Sequence, residues 1–342
     1  MTGAEAEYRD GGPMEFLQPR TWAEALAAKA AAPDALPIAG GTDVMVELNF
    51  ARRRPAVLLD LSRLPELTGW AFEGGRLRLG AGVTYAELTG ERTGLSRQPR
   101  ERLDSPDSPE SRDGLGRWLP GLAMAARTVG SPQIRNRGTI GGNLGSASPA
   151  GDCHPSLLAA GAEVEVASAR GTRLIPIDDF FTGVKRSALA PDELIAAVWI
   201  DPPSGPEQFA KIGTRNAMVI AVAAFGLALH PDRRTNGRSV GTGIGSAAPT
   251  PVRSAEAEAF LGAALDEAGL WESRAALPEP VVTEFGARVS AAAQPIDDVR
   301  GTAAYRRHAL AVLARRTLTW AWNDYQRAGR GPGLTGADGG TR

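Results

Sequence analysis

Hydrophobic and polar positions follow two different patterns along the chain. Near the N-terminus, the short apolar runs LPIAGG, AVLLDLSRL and RLRLGAGVTYAEL each lead into a turn or a helical segment. Before them, TWAEALAAKAAAP has helical spacing, with Thr21 as the N-cap and Glu24 three residues later. This succession of strand, turn and helix between residues 36 and 90 predicts a small α/β unit.

From Ala162 onward, strand patterns follow one another directly. They are EVEVAS, RLIPI, DELIAAVWI, FAKIGTR, MVIAVAAFGLAL and SVGTGIGS, and the tight turn ARGT joins the first two. Strand after strand with short turns predicts antiparallel pairing. Helical patterns then run from PTPVRSAEAEAFLGAAL to the C-terminal region, where Leu310, Leu313, Leu318 and Trp322 recur near helical spacing and predict a buried face.

Residues 97–117, RQPRERLDSPDSPESRDGLGR, differ from both patterns. They mix charges of both signs with prolines and have no apolar period. Such a composition predicts a flexible surface insertion. We also expect disordered tails over residues 1–13 and 329–342, because patterned sequence begins near Met14.

Composition and charge exclude several classes of function. With 342 residues, 43% of them hydrophobic and 23% charged, the chain is typical of a globular protein of two or three domains. The net charge of −1 gives no field that would attract nucleic acid or an anionic membrane. No apolar run has the length of a membrane span and the N-terminus has no apolar signal region, so we expect a cytoplasmic protein.

Metal chemistry is not expected on this chain. Cys153 is the single cysteine, so the chain alone can form no disulfide and cannot supply four thiolates to an iron–sulfur cluster. The three histidines are scattered and do not form a zinc motif.

Two segments rich in small residues carry the candidate chemistry. They are PIAGGTDVMVEL, residues 37–48, and ARTVGSPQIRNRGTIGGNLGSASPAGD, residues 126–152. Glycine lets backbone N–H groups come close to an anion such as pyrophosphate. Either segment alone could be a tight turn, whereas the two together favour a dinucleotide site. Polar residues beside them are Thr42, Asp43, Thr139, Asn143 and Asp152.

Other nucleotide and hydrolase motifs are absent from the sequence. No lysine stands in a Walker A frame. GAGVTYA, residues 80–86, resembles a Rossmann turn but has Tyr85 in place of the third glycine, and no acid ends a strand about 20 residues later. There is no G-x-S-x-G, and His154 has no evident serine partner.

The motifs AGGTD and GTIGGNL together with ASPAGD resemble the FAD-binding (medium) subunits of the molybdenum hydroxylase family, and bacterial xanthine dehydrogenase subunits in particular. MEFLQP, SPQIRNRGTIGGN, DDFFTG, FAKIGTRNAMVIA and VRGTAAYRRH agree with it, so the resemblance runs from about Met14 to about Gln326. It implies an α+β protein. An FAD-binding domain of two subdomains, of the vanillyl-alcohol-oxidase (PCMH) type, would occupy residues 14–204. A domain like the CO dehydrogenase flavoprotein C-terminal domain, a three-stranded antiparallel sheet with helices, would occupy 207–326.

The resemblance also implies the FAD-binding residues. A first loop, Ala39 to Val44, would wrap the diphosphate, and a second, Thr139 to Asn143, would close from the other side. Asp152 would contact the hydroxyl-bearing part of FAD. Val129 and Ile195 would lie near the flavin, which Lys211 would face; without the resemblance, Lys211 could be an ordinary edge-strand lysine. The complete set is Ala39, Gly40, Gly41, Thr42, Asp43, Val44, Val129, Thr139, Ile140, Gly141, Gly142, Asn143, Asp152, Ile195 and Lys211.

Partners follow from the same resemblance. FAD would be bound non-covalently, with Cys153 and His154 structural, and the [2Fe–2S] clusters and molybdopterin would belong to a small and a large partner subunit of a heterotrimer that can dimerise. Electrons would pass through FAD to NAD⁺ or another acceptor. The cysteine-free insertion excludes the extra four-iron cluster of some relatives. Two alternatives stay open: a free-standing flavin oxidase of the same fold, and a binding protein that has lost the flavin.

Overall fold

The computed structural model describes residues 14–90, 115–233 and 237–329. The predicted tails 1–13 and 329–342 lie outside these residues, except for Gly329, which ends the last helix. The predicted insertion lies outside them up to residue 114. The strands are β1 (Glu15–Leu17), β2 (Leu36–Ile38), β3 (Val57–Asp60), β4 (Trp70–Glu73), β5 (Arg76–Gly80), β6 (Glu163–Ser168), β7 (Gly171–Pro176), β8 (Phe181–Gly183), β9 (Arg186–Ser187), β10 (Leu194–Ile200), β11 (Glu207–Ile212), β12 (Ala223–Arg233) and β13 (Gly237–Gly245). The helices are α1 (Trp22–Ala31), α2 (Val44–Asn49), α3 (Tyr85–Thr89), α4 (Pro120–Arg127), α5 (Pro132–Arg135), α6 (Ile140–Ser146), α7 (His154–Ala160), α8 (Ile177–Phe180), α9 (Ala255–Glu267), α10 (Leu270–Ser273), α11 (Glu279–Ala291) and α12 (Ala303–Gly329).

The first subdomain is built on a small parallel sheet in the order β1–β3–β2, in which β3 pairs with both neighbours. Helix α1 leads from β1 to β2 and begins at the predicted N-cap, where Thr21 Oγ1 accepts a hydrogen bond from Glu24 N at 3.2 Å. The Glu24 carboxylate accepts from Arg20 N, so no reciprocal capping box closes on Thr21. This short α/β unit carries the first glycine segment at the end of β2.

A second, antiparallel sheet has the order β4–β5–β10–β6–β7. The predicted α/β unit over residues 36–90 therefore divides: β4 and β5 leave the parallel sheet and pair in this one. Its central strand β10 is almost wholly buried, because its apolar side chains face the core on both sides. The hairpin of β6 and β7 around the ARGT turn is confirmed.

The C-terminal domain has the predicted three-stranded antiparallel sheet, in the order β11–β12–β13. Strand β12 begins at Ala223, not at Met218 as the apolar run suggested, because residues 218–222 belong to the connection from β11. Met218 has a positive φ of 49°, which ends extended pairing there. The predicted α+β fold is confirmed.

The C-terminal sheet lies between two layers of helices. Helices α9, α11 and α12 pack on one face, and α4 and α7 of the first domain pack on the other. Contact with α7 is between backbones: a Cβ on Gly243 would lie 2.0 Å from the Pro155 carbonyl oxygen, and one on Gly241 would lie 2.0 Å from that of Ala159. The glycines therefore let α7 lie directly on the sheet.

The predicted insertion ends earlier than its composition suggested. Leu115–Arg117, placed in the insertion by the sequence, form a 3-10 helix, and the Leu115 side chain is buried in the core of the first domain. None of the helices in the described residues, including the long α12, is both long and apolar enough to span a membrane.

Candidate functional site

The first glycine segment forms a turn between β2 and α2, and Val44 is already the first residue of that helix. Gly41 has a φ of 76°, a left-handed conformation that favours glycine. A Cβ on Gly40 would lie 1.9 Å from the carbonyl oxygen of Arg137. The two glycine-rich segments of the sequence are therefore in backbone contact with each other.

Backbone amides of this turn are available to a ligand. Within the described ranges, none of the N–H groups from Ala39 to Val44 donates a hydrogen bond, although the carbonyls of Gly41 and Asp43 accept bonds from α2. A cleft of about 220 Å³ opens beside them, between the turn and Phe16, Asp60 and Arg137. Unpaired N–H groups on the wall of a cleft form an anion-binding concavity.

The second segment differs from its prediction. Thr139–Asn143 is not a loop but the start of helix α6, with Thr139 as its N-cap. Its amides already have partners: Ile140 N donates to Val83 O at 3.0 Å and Gly141 N to Ala81 O at 2.8 Å. Gly142 N donates to Thr139 Oγ1 at 3.0 Å and Asn143 N to Thr139 O at 3.0 Å. The helix start therefore has no free amide to offer a diphosphate.

Glycines of α6 serve two different purposes. A Cβ on Gly141 would lie 2.5 Å from Ala81 Cβ, so this glycine permits the helix to pack against the turn after β5. Gly142 and Gly145, by contrast, are exposed, and the nearest atom to a Cβ on Gly145 is Ile195 Cδ1 at 3.8 Å. One side of α6 is thus a bare backbone surface beside Ile195, which a flat ligand can approach closely.

A buried ion pair joins the two domains at the other end of the site. Lys211 Nζ on β11 donates to Asp152 Oδ2 at 2.7 Å and to Thr128 O at 3.1 Å. The two charged side chains are only 8% and 11% exposed. Burial raises the pKa of the Asp152 carboxyl, and the neighbouring Lys211 ammonium opposes that rise.

Two buried oxygens of the site lack a hydrogen-bond donor. Among the residues that the structure describes, neither Asp152 Oδ1 nor Asn143 Oδ1 has a partner. A buried acceptor without a donor costs about 1–3 kcal/mol, so both oxygens fit a ligand that brings hydroxyl groups.

The two apolar candidates lie at different depths. Ile195 is buried in β10, at the irregularity that separates the register of Ile195 from that of Ala197. Val129 is half-buried, directly after Thr128, and its carbonyl accepts from Arg135 Nη1 at 3.3 Å. Both therefore belong to the walls around the ion pair and α6.

Cys153 and His154 are fixed in the interior. Burial raises the pKa of the Cys153 thiol far above its ordinary value, so it has no thiolate character at neutral pH. Burial also lowers the pKa of His154 to about 4. His154 Nε2 lies 3.3 Å from Asn143 O, and its ring packs against Phe181 at 4.6 Å. Neither side chain is a nucleophile in this environment.

Sequence reasoning missed residues that shape the site through their backbone. Ala81 and Val83 receive the amides of α6, Arg137 carries the carbonyl against Gly40, and Thr128 receives the Lys211 ammonium. From the sequence, the GAGVTYA segment is interpreted only as a possible Rossmann turn, although its small residues could have indicated close packing against another backbone. Because every residue type carries a backbone carbonyl, the sequence does not indicate which carbonyls accept these hydrogen bonds.

Comparison with known proteins gives matches along most of the chain. The family model described as FAD binding domain in molybdopterin dehydrogenase matches residues 12–203. The model described as CO dehydrogenase flavoprotein C-terminal domain matches residues 208–321.

Individual relatives agree with these matches. The chain is 34% identical over 245 residues to the putative xanthine dehydrogenase FAD-binding subunit of Escherichia coli, covering 70% of this chain and 75% of that protein. It is 32% identical over 293 residues to the nicotine 6-hydroxylase medium subunit of Paenarthrobacter nicotinovorans, covering 83% and 88%. A chain of reconstituted CO dehydrogenase from Oligotropha carboxidovorans superposes with a TM-score of 0.76 at 26% identity, covering 92% of this chain and 99% of that one.

Proposed function

Because the chain belongs to the family of FAD-binding medium subunits of molybdenum hydroxylases, we propose that it transfers electrons in a complex of xanthine dehydrogenase type. In this proposal, FAD is held non-covalently and receives electrons from [2Fe–2S] clusters of a small partner subunit. A large partner subunit carries molybdopterin, and the final acceptor is NAD⁺ or another oxidant. We place the complex in the cytoplasm.

One observation carries the proposal: Ala39, Gly40 and Gly41, whose amides are unpaired within the described residues, line a cleft that Arg137 of the second glycine-rich segment also lines. The diphosphate of FAD would accept hydrogen bonds from these amides, and Gly41, with its φ of 76°, would let the backbone turn around it. Since the amides of Ile140 and Gly141 are occupied, the diphosphate would depend on the first segment.

Further residues fit the remainder of the cofactor. The donor-free oxygens of Asp152 and Asn143 would accept hydrogen bonds from ribityl hydroxyl groups. The bare face of α6 at Gly142 and Gly145, with Ile195 beside it, would accommodate a flat ring. The Lys211 ammonium would favour negative charge near the ring, and the ion pair with Asp152 fixes its position.

When bound, FAD supplies the ability to take up electrons singly and release them as a pair. This chain's residues would bind and orient it: the turn after β2 holds one end, and α6 with the ion pair holds the other. Burial of the ion pair keeps water from the enclosed end of the site.

An absorption spectrum of the purified chain, taken before and after denaturation, tests the proposal. Flavin bands that appear in the supernatant as free FAD after denaturation are the expected result. A colourless protein that takes up no added FAD would refute the proposal.

A matched pair of variants tests the diphosphate position. Gly41→Ala and Gly74→Ala each place a Cβ at a left-handed glycine, with φ values of 76° and 59°, so both should lose about 1 kcal/mol of stability. Only Gly41 lies in the cleft, whereas Gly74 is in the turn between β4 and β5. We expect Gly41→Ala alone to lose FAD. Equal FAD retention in the two variants would contradict the assignment of the turn.

A further inference from the structure

Large apolar side chains are exposed on two segments of the C-terminal domain. One segment is the β11–β12 connection, and the other runs from the end of α11 into α12. Val299 is fully exposed, and the other four are between 48% and 67% exposed. We call this set the apolar patch; it consists of Met218, Ile220, Ile296, Val299 and Tyr305.

Arg306 joins the two segments into one surface. Its guanidinium, which is almost completely buried, donates to Val222 O at 2.8 Å and to Ser246 O at 2.6 Å. It also donates to Asp298 Oδ1 at 2.6 Å. Because the Arg306 side chain bonds to both segments, the exposed residues of the β11–β12 connection and those between α11 and α12 keep a fixed relative position.

Val299 stands at the tip of a tight, internally bonded turn. Asp298 Oδ1 accepts from Arg300 N at 2.8 Å, and its Oδ2 accepts from Arg300 Nε at 3.0 Å. Asp298 and Gly301 also exchange backbone hydrogen bonds across the turn. The turn therefore holds an apolar side chain outward in one conformation, which reduces the entropy lost on binding.

The apolar patch lies close to the ion pair of the proposed flavin site. The β11–β12 connection starts immediately after Ile212, the neighbour of Lys211, and Val222 N at its end donates to Ile212 O at 2.7 Å. A protein docked on this patch would therefore lie beside the end of the site that holds Lys211 and Asp152.

Charges around the patch are predominantly positive. Arg215 and Arg307 are exposed, and neither pairs with a carboxylate in the described part of the chain; the Arg215 guanidinium donates only to Met218 O. Asp297 accepts from Ala303 N and keeps its negative charge, whereas Arg300 and Arg306 pair with Asp298. On the two segments, four basic side chains (Arg215, Arg300, Arg306 and Arg307) stand against these two acidic ones. A complementary surface would be apolar at its centre, with carboxylates at its rim.

We propose that the apolar patch is the docking surface for a redox partner subunit whose contact face is apolar with an acidic rim. This inference rests on the proposed function, since it requires that the chain works in an assembly. Its relatives include proteins named as medium subunits, which is consistent with assembly. The two segments that carry these side chains meet where Arg306 bonds Val222 O and Asp298, and large exposed apolar surfaces are typical of interaction sites.

Methionine oxidation of the purified complex tests the surface. Met218 in the patch and Met14 at the start of the first domain are about equally exposed in the chain alone, and Met14 does not line the cleft proposed for FAD. Under mild peroxide, both should be oxidised in the isolated chain, while Met218 should be protected at least tenfold in the complex with its copurifying subunits. Equal oxidation of Met218 in both samples, or its protection by anionic lipid vesicles in place of the subunits, would overturn the proposal.

Paired variants give a second readout. Val299→Asp and Ile220→Asp should reduce the copurifying subunits at least tenfold, whereas the control Leu174→Asp, at a comparably exposed position on β7, should not. FAD content should stay unchanged in all three. Assembly that survives Val299→Asp and Ile220→Asp together would refute the surface. Protection of Met218 in a complex without flavin would support the surface and refute the proposed function.

Discussion

Replacement of Glu207 by glutamine should change how the stability of the chain depends on pH. Glu207 is the first residue of β11, is only 7% exposed, and accepts a hydrogen bond from Gly121 N of α4 at 2.9 Å. It therefore lies in the seam between the C-terminal sheet and the first domain. Burial raises the pKa of its carboxyl from 4.5 to about 7.

The sign and size of the effect follow from that shift. Between about pH 4.5 and pH 7 the folded chain holds a proton at Glu207 that the unfolded chain has released, so the free energy of unfolding falls as the pH rises through this window. A gap of about 2.5 pH units at 1.36 kcal/mol each amounts to about 3 kcal/mol. Glutamine carries no charge at any pH and can still accept from Gly121 N, so Glu207→Gln should escape this loss.

Urea denaturation of the wild type and of Glu207→Gln at about pH 5 and pH 8 measures the effect. The variant should gain about 2–3 kcal/mol relative to the wild type between the two pH values. The control Glu256→Gln, at an exposed position on α9, should show no such change. A stability difference between Glu207→Gln and the wild type that is the same at both pH values would refute the reasoning.

Three further predictions concern the site. Lys211→Met should lower the free energy of unfolding by about 3–5 kcal/mol, because it leaves the buried Asp152 carboxylate without its partner. Adding Asp152→Asn to this variant should restore part of the loss. Denaturation of the single and the double variant measures both, and an equal loss in the two would contradict the pairing. Gly145→Ala should fold at least as well as wild type yet retain less flavin, whereas Gly141→Ala should lose about 1–3 kcal/mol through overpacking; the reverse order of stabilities would be inconsistent with the packing of α6. Cys153 should not react with maleimide in the folded chain at pH 8, and rapid labelling would contradict its burial.

Local patterns predicted the elements whose partners are close in sequence. The β6–β7 hairpin follows from alternation and a short turn. The strand-after-strand order predicted antiparallel pairing in the C-terminal sheet, whose strands pair in chain order, and its three-stranded form was implied by the resemblance. The α1 start follows from the Thr21 cap. The division of the first domain into two sheets was not predicted, because β5 pairs with β10, which lies far along the chain.

The residues predicted to bind FAD stay a prediction, whereas the loop conformation expected of Thr139–Asn143 was wrong. The structure places the two glycine segments in contact at Gly40 and Arg137 and pairs Lys211 with Asp152. Gly141 was interpreted as part of a ligand-binding loop because glycine is permissive, whereas its amide and its missing Cβ serve the contact with Ala81. Whether this glycine binds a ligand or permits close packing depends on Ala81, about sixty positions away, and the local sequence does not contain that information.

The backbone contact between α7 and the C-terminal sheet has a consequence for how such chains can be recombined. Two family models meet near residue 205, which suggests a natural boundary for exchanging domains between relatives. The glycines of β13 leave room for α7 at backbone distance, which side chains at Gly241 and Gly243 would prevent. An exchange at that boundary would separate this sheet from the helix that lies directly on its glycines. Viable hybrids should therefore inherit α7 and β13 from the same parent, whatever the origin of the rest.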